Sequence, residues 1–524
     1  MLRIGVDVGG TNTDAVVLDG SSILASVKSP TTEDISSGVI NAVGQVVGQA
    51  GLDMAAISSV MIGTTQFTNA FVQARGLTRV GVMRLGAPAT RSLPPLVAWP
   101  EAMRAAVFGD SEILPGGYQV DGSPITGLDE EAVRRTARRF ADRGLSAVAV
   151  SSVFGPLNRE GEAQAAAIIA EEIPGVSVTQ ATDIGRLGLL ERESAAVMNA
   201  SLRELSVLVV DAFETALKEL GIAAPLYITQ NDGTLMQASA VKQFPVLTFA
   251  SGPTNSMRGA AFLTGESNAI VVDIGGTTTD VGVLVDGFPR ESSINVDIGG
   301  VRTNFRMPDI LSIGLGGGSR VVESDGELTI GPQSVGHDIL TEAKVFGGQT
   351  LTATDIVVAA GRASIGSQWS VADLSADLVR TADERMQQML EEAVDRMKTG
   401  TGDVVVIMVG GGAILARDEL KGAGRLLVPE QSGVANAVGA AIAQVGGEVD
   451  RVVSFDDEGR EQALERVKAQ AIDQAVAAGA SADSTRVVDV EEIPLAYVPG
   501  HSVRVRVKAV GDLAQEAQAV GAAV

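Results

Sequence analysis

The sequence predicts a duplicated α/β fold followed by a small C-terminal α+β module. Three observations predict it. The run Asp, any residue, Gly, Gly, Thr, any residue, Thr, Asp occurs twice, from Asp7 and from Asp273, each time between β-branched stretches. Strand-like and helical stretches alternate through both halves. After Gly447 the pattern changes to one charged amphipathic helix and two alternating strands. The expected units are 1–195, 196–447 and 448–524.

Taken in order, "RIGVDVGGTNTDAVVLDG" from Arg3 reads as strand, glycine turn and strand, a hairpin. A helix is expected over 34–49, strands over 59–62 and 79–83, a helix over 129–143 and a strand over 147–153. Arg186 to Leu220 reads as a long helix stopped by Gly221 and placed to link the halves. The second half repeats the scheme with a strand at 226–229, the hairpin "IVVDIGGTTTDVGVLVDG" from Ile270, a helix around 382–398 and a strand at 404–409. That strand runs into Gly410, Gly411 and Gly412 and then an expected helix. A small-residue helix is expected from Ser432 to Gly447, with Ala435, Gly439 and Ala443 on one face for close helix approach. The last expected elements are a helix over 457–478, two strands and an alanine-rich tail, 511–524, that frays.

Composition narrows the chemistry. The 524 residues suffice for more than one core, and 45% hydrophobic with 20% charged residues is ordinary for a globular protein. No cysteine is present, which excludes disulfides, thiolate nucleophiles and thiolate-held iron–sulfur clusters. His337 and His501 are the only histidines, too few for a His-rich metal centre, so carboxylates must do the metal or acid–base work. A net charge of −24 repels phosphate backbones and argues against nucleic acid. The opening MLRIGVDVGG leads straight into a strand without the sections of a signal peptide, and no apolar run approaches the roughly 20 residues of a spanning helix. The expectation is a cytoplasmic enzyme with no membrane partner; a homo-oligomer stays open.

Many of the 61 glycines stand in doublets and triplets after apolar runs, where backbone turns sharply or approaches a ligand. Two facing hairpins suit a nucleoside triphosphate. The amides of Gly9, Gly10, Gly275 and Gly276, with Thr11, Asn12, Thr13, Thr277, Thr278 and Thr279 around them, are candidates for phosphate oxygens, and Asp7 and Asp273 for Mg²⁺ and its waters.

First hairpin, the helix with Ala196 to Ala200, second hairpin, strand with Gly410–Gly412 and final small-residue helix resemble, in order, the five signatures of the actin, Hsp70 and sugar-kinase superfamily. The resemblance implies ribonuclease H-like domains with ATP in the cleft between them, and it gives Gly410, Gly411 and Gly412 to the adenosine segment.

More closely, the chain resembles the A component of the hydantoinase/oxoprolinase family. The motifs carrying this are "GTTQFTNA" from Gly63, "ERESAAVMNA" from Glu191, "SGPTNSMRGA" from Ser251, "DIGGTTTDVGVL" from Asp273, "SIGLGGGS" from Ser312 and "VGGGAIL" from Val409. It implies ATP- and Mg²⁺-dependent opening of a hydantoin, 5-oxoproline or related cyclic amide by phosphoryl transfer to the carbonyl oxygen, with a separate B-type partner subunit. Asp7 and Asp273 are the catalytic and metal candidates. Ile62 stands where the family commonly has histidine, "SGPTNS" departs from Ser-Gly-Pro-Ala-Ala-Gly, and no Pro-Ala-Cys-Tyr-Gly follows Gly331-Pro332.

Thr64, Thr65 and Asn69 are candidate substrate contacts at a strand end, or else cap the helix that follows. Ser251, with Gly252 and Pro253, lines the cleft or makes a turn. Gly317 and Gly318 bring N–H groups to a ligand, or belong to a flexible turn. Arg302 and Arg320 meet an anion or lie on the surface; His337 and His501 read as surface or structural. Competing readings are a reactivating chaperone ATPase and a small-molecule kinase.

Overall fold

The computed structural model describes residues 1–10, 12–30, 35–292, 295–324, 326–495 and 501–514. Thr11 and the tail beyond 514 lie outside the described residues.

The first hairpin pairs Leu2–Val8 with Asn12–Asp19, setting Asp7 opposite Asp14 and Val8 opposite Thr13. Ser22–Pro30 extends it on one side, and Ser59–Thr64 lies parallel on the other with Gly63 opposite Asp7. The period of two is visible in what each face buries. Ile4, Val6 and Val8 enter the largest core, together with the helices Ile35–Ala50 and Leu189–Glu219. Gly5 points the other way, against Ala437 and Ala441 of the helix Ala435–Ile442.

The second hairpin repeats this arrangement register for register. Ala269–Ile274 pairs with Thr279–Val285, setting Asp273 opposite Asp280, and Val404–Val409 lies parallel with Val409 opposite Asp273. The expected duplicated, actin-like fold is present. Its two sheets are bridged by Ser251–Thr264 and Ala435–Ile442, which cross in backbone contact. A Cβ at Gly259 would overlap Ala435 O, and one at Gly439 would overlap Asn255 O.

Sheet membership does not follow the expected boundaries after 195 and 447. The first sheet has nine strands and takes in Leu226–Thr229, Thr234–Gln237, Gln444–Ser454, Arg486–Pro494 and Ser502–Gly511. The last two, with the helix Arg460–Ala477, are an annex to this sheet. A two-stranded ribbon alone is marginal in water, and pairing with Gln444–Ser454 supplies the missing neighbour. Between residues 80 and 180 a separate four-stranded parallel sheet is inserted: Phe108–Pro115, Val80–Ala87, Ala147–Ser152 and Ser177–Gln180.

Three expected elements are corrected. The helix expected from Ser432 to Gly447 is a 3₁₀ turn over Ser432–Val434 and an α-helix over Ala435–Ile442; Ala443 caps it and Gln444 opens a strand. Alternating burial of Val445, Gly447 and Val449, with ladder partners on both sides, overrides the small-residue spacing. After Gly412 there is one 3₁₀ turn, Ala413–Leu415, in place of a helix. The long helix Leu189–Glu219 exists, but the glycine crossing between the halves is made by Ser251–Thr264. Among the described residues no helix is long and apolar enough to cross a membrane.

Candidate active site

Asp7 is the last residue but one of the first strand and is 4% exposed. Asn436, in the first turn of Ala435–Ile442, donates its Nδ2 to Asp7 Oδ2 at 2.9 Å. Oδ1 is buried and makes no hydrogen bond. The Asn255 amide lies close enough to favour the charged form of Asp7, but it donates to Thr229 Oγ1 at 3.0 Å. Gly63 leaves room for this arrangement, because a Cβ there would stand 2.5 Å from Asp7 Oδ1. Burial, then the charges of Asp14 and Asp273, push the Asp7 carboxyl up to about 7 against the pull of Asn436. At neutral pH such a group can both accept and give a proton.

The structure brings the two predicted carboxylates into one electrostatic field. Burial raises Asp273, while Ser256 and the charge of Lys28 draw it down. Gly410, at φ +87, is the counterpart of the residue after Gly63: a Cβ there would overlap Asp273 Oδ1. Four residues join this centre without having been singled out as functional. Asp14 is 2% exposed and pairs with Lys28 at 2.7 Å, with its Oδ1 unpartnered. Asp280 is pushed up to about 6 by burial and by Asp273, with Ser312 donating to it. Asn436 holds Asp7. Asp14 and Asp280 are the last letters of the repeated motif, so their signal was in view; Lys28 and Asn436 carry no local signal.

The two glycine turns are built alike. Gly9 N–H donates to Asn12 O at 3.0 Å, and Gly275 N–H to Thr278 O at 2.9 Å. Those amides close the turns, which leaves the tips outward: Gly10 and Thr278 are exposed, Gly276 and Thr277 half-buried. A Cβ at Gly10 or at Gly411 would meet nothing within 4 Å, so there is open space over both. Thr13 and Thr279 are buried, the latter donating to Leu315 O at 2.6 Å.

Gly316 to Gly318 have a different role from the expected one. Gly317 N–H donates to Gly275 O at 3.0 Å, Gly318 N–H to Gly276 O at 2.7 Å, and Gly316 N–H to Ser319 Oγ at 2.8 Å. With all three amides engaged, this segment supports the second hairpin from below. It is neither a ligand cradle nor a flexible turn.

Thr64 Oγ1 accepts from Gln66 N at 3.2 Å, a capping contact at the start of Gln66–Val72. Thr65 contacts Val8 O through its N–H and its hydroxyl, both at 3.4 Å, and the position of a Cβ on Gly252 lies 3.7 Å from Thr65 Cγ2 and 4.0 Å from Asp7 Oδ1. Asn69 is exposed and reaches Thr65 Oγ1 at 3.4 Å. Ser251 donates to Thr64 O at 3.3 Å and is the first residue of a helix rather than part of a loop or turn. Arg302, Arg320, His337 and His501 all lie on the surface.

A hydrated Mg²⁺ fits the donors present. Asp7 and Asp14 each keep a buried carboxylate oxygen without a partner, beside Asp273. Among the described residues no group of three or more His, Asp or Glu side chains could hold a bare metal ion, so water and phosphate oxygens would complete the shell.

Paired Asp-x-Gly-Gly hairpins across a helix crossing define a duplicated, actin-like α/β fold. Residues 3–173 match the hydantoinase/oxoprolinase N-terminal region and residues 192–365 match hydantoinase/oxoprolinase. The chain belongs to the hydantoinase/oxoprolinase family. It is 30% identical to the acetophenone carboxylase gamma subunit of Aromatoleum aromaticum, over 68% of this chain and 53% of that one. It is 27% identical to the caprolactamase alpha subunit of Pseudomonas jessenii, over 70% and 55%. The chain thus spans about half the length of these relatives. The ATP-dependent caprolactamase structure from Pseudomonas jessenii superposes with a TM-score of 0.78 at 20% identity, covering 98% of this chain and 88% of that one. Nucleotide-free acetone carboxylase superposes at 0.71 and 17%, with the same coverage.

Proposed function

We propose that this chain is the ATP-using subunit of an enzyme that opens a small cyclic amide, working with a separate partner subunit. The observation that carries the reading is the register-matched pair of hairpins that sets Asp7 and Asp273 in one field, with open space over Gly10 and Gly411. Family membership and similarity to a caprolactamase alpha subunit and, at 26% identity, to a 5-oxoprolinase of Pestalotiopsis fici support the substrate class.

An amide carbonyl is a weak electrophile. ATP, as co-substrate, supplies a phosphoryl group whose transfer to the carbonyl oxygen activates the carbon for attack by water. The chain's own residues position and exchange protons. The tips Gly10 and Gly276–Thr278, with Gly411 and Gly412, receive the nucleotide. Asp7, Asp14 and Asp273 would hold hydrated Mg²⁺, which spreads the phosphate charge when bound. Asp7, poised near neutrality, takes the proton of the attacking water and returns it to the departing ring nitrogen; a second water cleaves the acyl phosphate left behind, giving the open-chain carboxylate and inorganic phosphate. Thr65, which with Asp7 flanks Gly252, is the candidate substrate contact.

A second reading, activation of a ketone carbonyl ahead of carboxylation, is favoured by the 30% identity to an acetophenone carboxylase subunit. The test is Mg²⁺-dependent phosphate release from ATP by the chain, alone and with a partner subunit, in the presence of hydantoin, 5-oxoproline, caprolactam, or acetophenone with bicarbonate. Release that depends on a ring and is lost in Asp7→Ala and Asp273→Ala supports the amide reading. Dependence on ketone and bicarbonate selects the second reading. Nucleotide binding stimulated by no small molecule returns the chain to the reactivating ATPases.

A further inference from the structure

A cavity of about 480 Å³ lies where the inserted four-stranded unit, the segment Phe244–Leu247 and the C-terminal strands meet. Apolar residues contribute to its lining: Phe244 and Leu247 are half-buried, and Leu235 and Met236 are buried. Five arginines and three carboxylates line it, an excess of positive charge in a chain whose net charge is −24.

Three of the arginines are neutralised internally. Arg306 pairs with Glu448 at 2.8 Å and Asp232 at 3.1 Å, Arg186 with Glu291 at 3.3 Å, and Arg504 with Asp450. The other two stand at the mouth. Arg159 has only a 3.4 Å contact with Asp183. Arg451 has no carboxylate within ion-pair distance among the described residues; the charges acting on it are Arg466 and Arg159, both cations, which add to burial in lowering its pKa. Like charges held together beside apolar side chains are a cost that an anion relieves, and charge-assisted hydrogen bonds to guanidinium are the strong ones. A volume of this size, with apolar side chains beside charged ones, suits a small ligand.

We propose that this cavity binds a small organic carboxylate with an apolar chain, its head held by Arg159 and Arg451 and its chain lying on Leu235, Phe244 and Leu247. The wall continues toward the hairpins. Gln230 accepts from Arg306 at 2.5 Å, and its neighbour Thr229 accepts from Asn255 at 3.0 Å. Asn231 O accepts from Thr254 Oγ1 at 3.1 Å. Thr254 and Asn255 belong to the crossing helix Ser251–Thr264, which also carries Ser256, the partner of Asp273.

Two sources of carboxylate share this chemistry: the ring-opened acid of the reaction proposed above, and an independent aliphatic effector. The existence of the site does not depend on that reaction. The experiment is calorimetric titration of the full chain with hexanoate, 6-aminohexanoate (the acid of opened caprolactam) and hexylamine, for the parent chain and for Arg159→Gln and Arg451→Gln. Saturable binding of a carboxylate but not of hexylamine is expected, weakened about tenfold in each variant. Both arginines are exposed, so unchanged melting temperatures are expected to show that the variants fold. Preference for 6-aminohexanoate points to product, and preference for hexanoate to an effector. No carboxylate binding up to about 10 mM, a range that detects even weak sites, or equal binding by the variants, overturns the proposal.

Discussion

Asn436 donates its side-chain amide to Asp7 at 2.9 Å across a sequence separation of 429 residues. The bond favours the charged carboxylate, whose burial pushes its pKa up to about 7. In Asn436→Ala the donor is lost and the neutral acid gains. A hydrogen bond to a charged group contributes about 1.5 kcal/mol or more, so the acidic limb of the phosphate-release profile should move upward on the order of one pH unit. A pH–rate profile checks this, and an unmoved limb would take Asp7 out of the proton-transfer role.

Asp7 also makes stability depend on pH. Its folded value lies above its ordinary 3.8, so protonation stabilises the fold fully below that value, and the contribution is lost as pH rises through about 7. Asp7→Asn removes the buried charge. That variant should be inactive yet more stable at pH 8, by up to about 4 kcal/mol, with the gain shrinking toward pH 4.5. Urea unfolding at the two pH values measures it.

Glu193 belongs to the "ERES" motif, and it acts as a clamp. Arg84, fully buried, donates Nε and Nη2 to Glu193 at 2.7 and 2.5 Å, and Ser151 Oγ donates at 2.7 Å. The contacts tie the inserted sheet to the long helix Leu189–Glu219. Glu193→Gln leaves a buried guanidinium without its counter-charge and should cost about 3–5 kcal/mol in urea unfolding.

Glycine in a helix is ordinarily improved by alanine, by up to about 1 kcal/mol. Gly48→Ala, in open space on Ile35–Ala50, should follow that rule. Gly439→Ala should break it, because a Cβ would overlap Asn255 O at the crossing. A loss of about 1–3 kcal/mol is expected for the overpacked site, with phosphate release falling as Asn255 and Asn436 move apart. Parallel unfolding curves for the two variants decide it.

The carboxylate pair was legible because the sequence writes its local environment twice: strand, glycine turn and strand are set by adjacent residues. Lys28 was not, because its place beside Asp14 follows from strand register, which pairs these two residues across the sheet. Asn436 was hidden for the same reason at longer range. The stretch from Ser432 to Gly447 misled because small residues every fourth position also alternate, and only the neighbouring strands decide between helix and ladder. At Gly316–Gly318 the glycines were read as reaching a ligand or forming a flexible turn, whereas what they approach is the second hairpin's own backbone.

The nine-stranded sheet joins Leu2 to Gly511, and its order has a kinetic consequence. Gly5 is covered by Ala437 and Ala441, and Thr234–Gln237 finds its outer neighbour in Gln444–Ser454. During synthesis the amino-terminal half must therefore wait, with an apolar face and an unpaired edge open to water, until more than four-fifths of the chain has been made. Contacts so distant in sequence slow folding and lengthen exposure to aggregation, so yield in the cell should depend on chaperones and growth temperature more steeply than stability does.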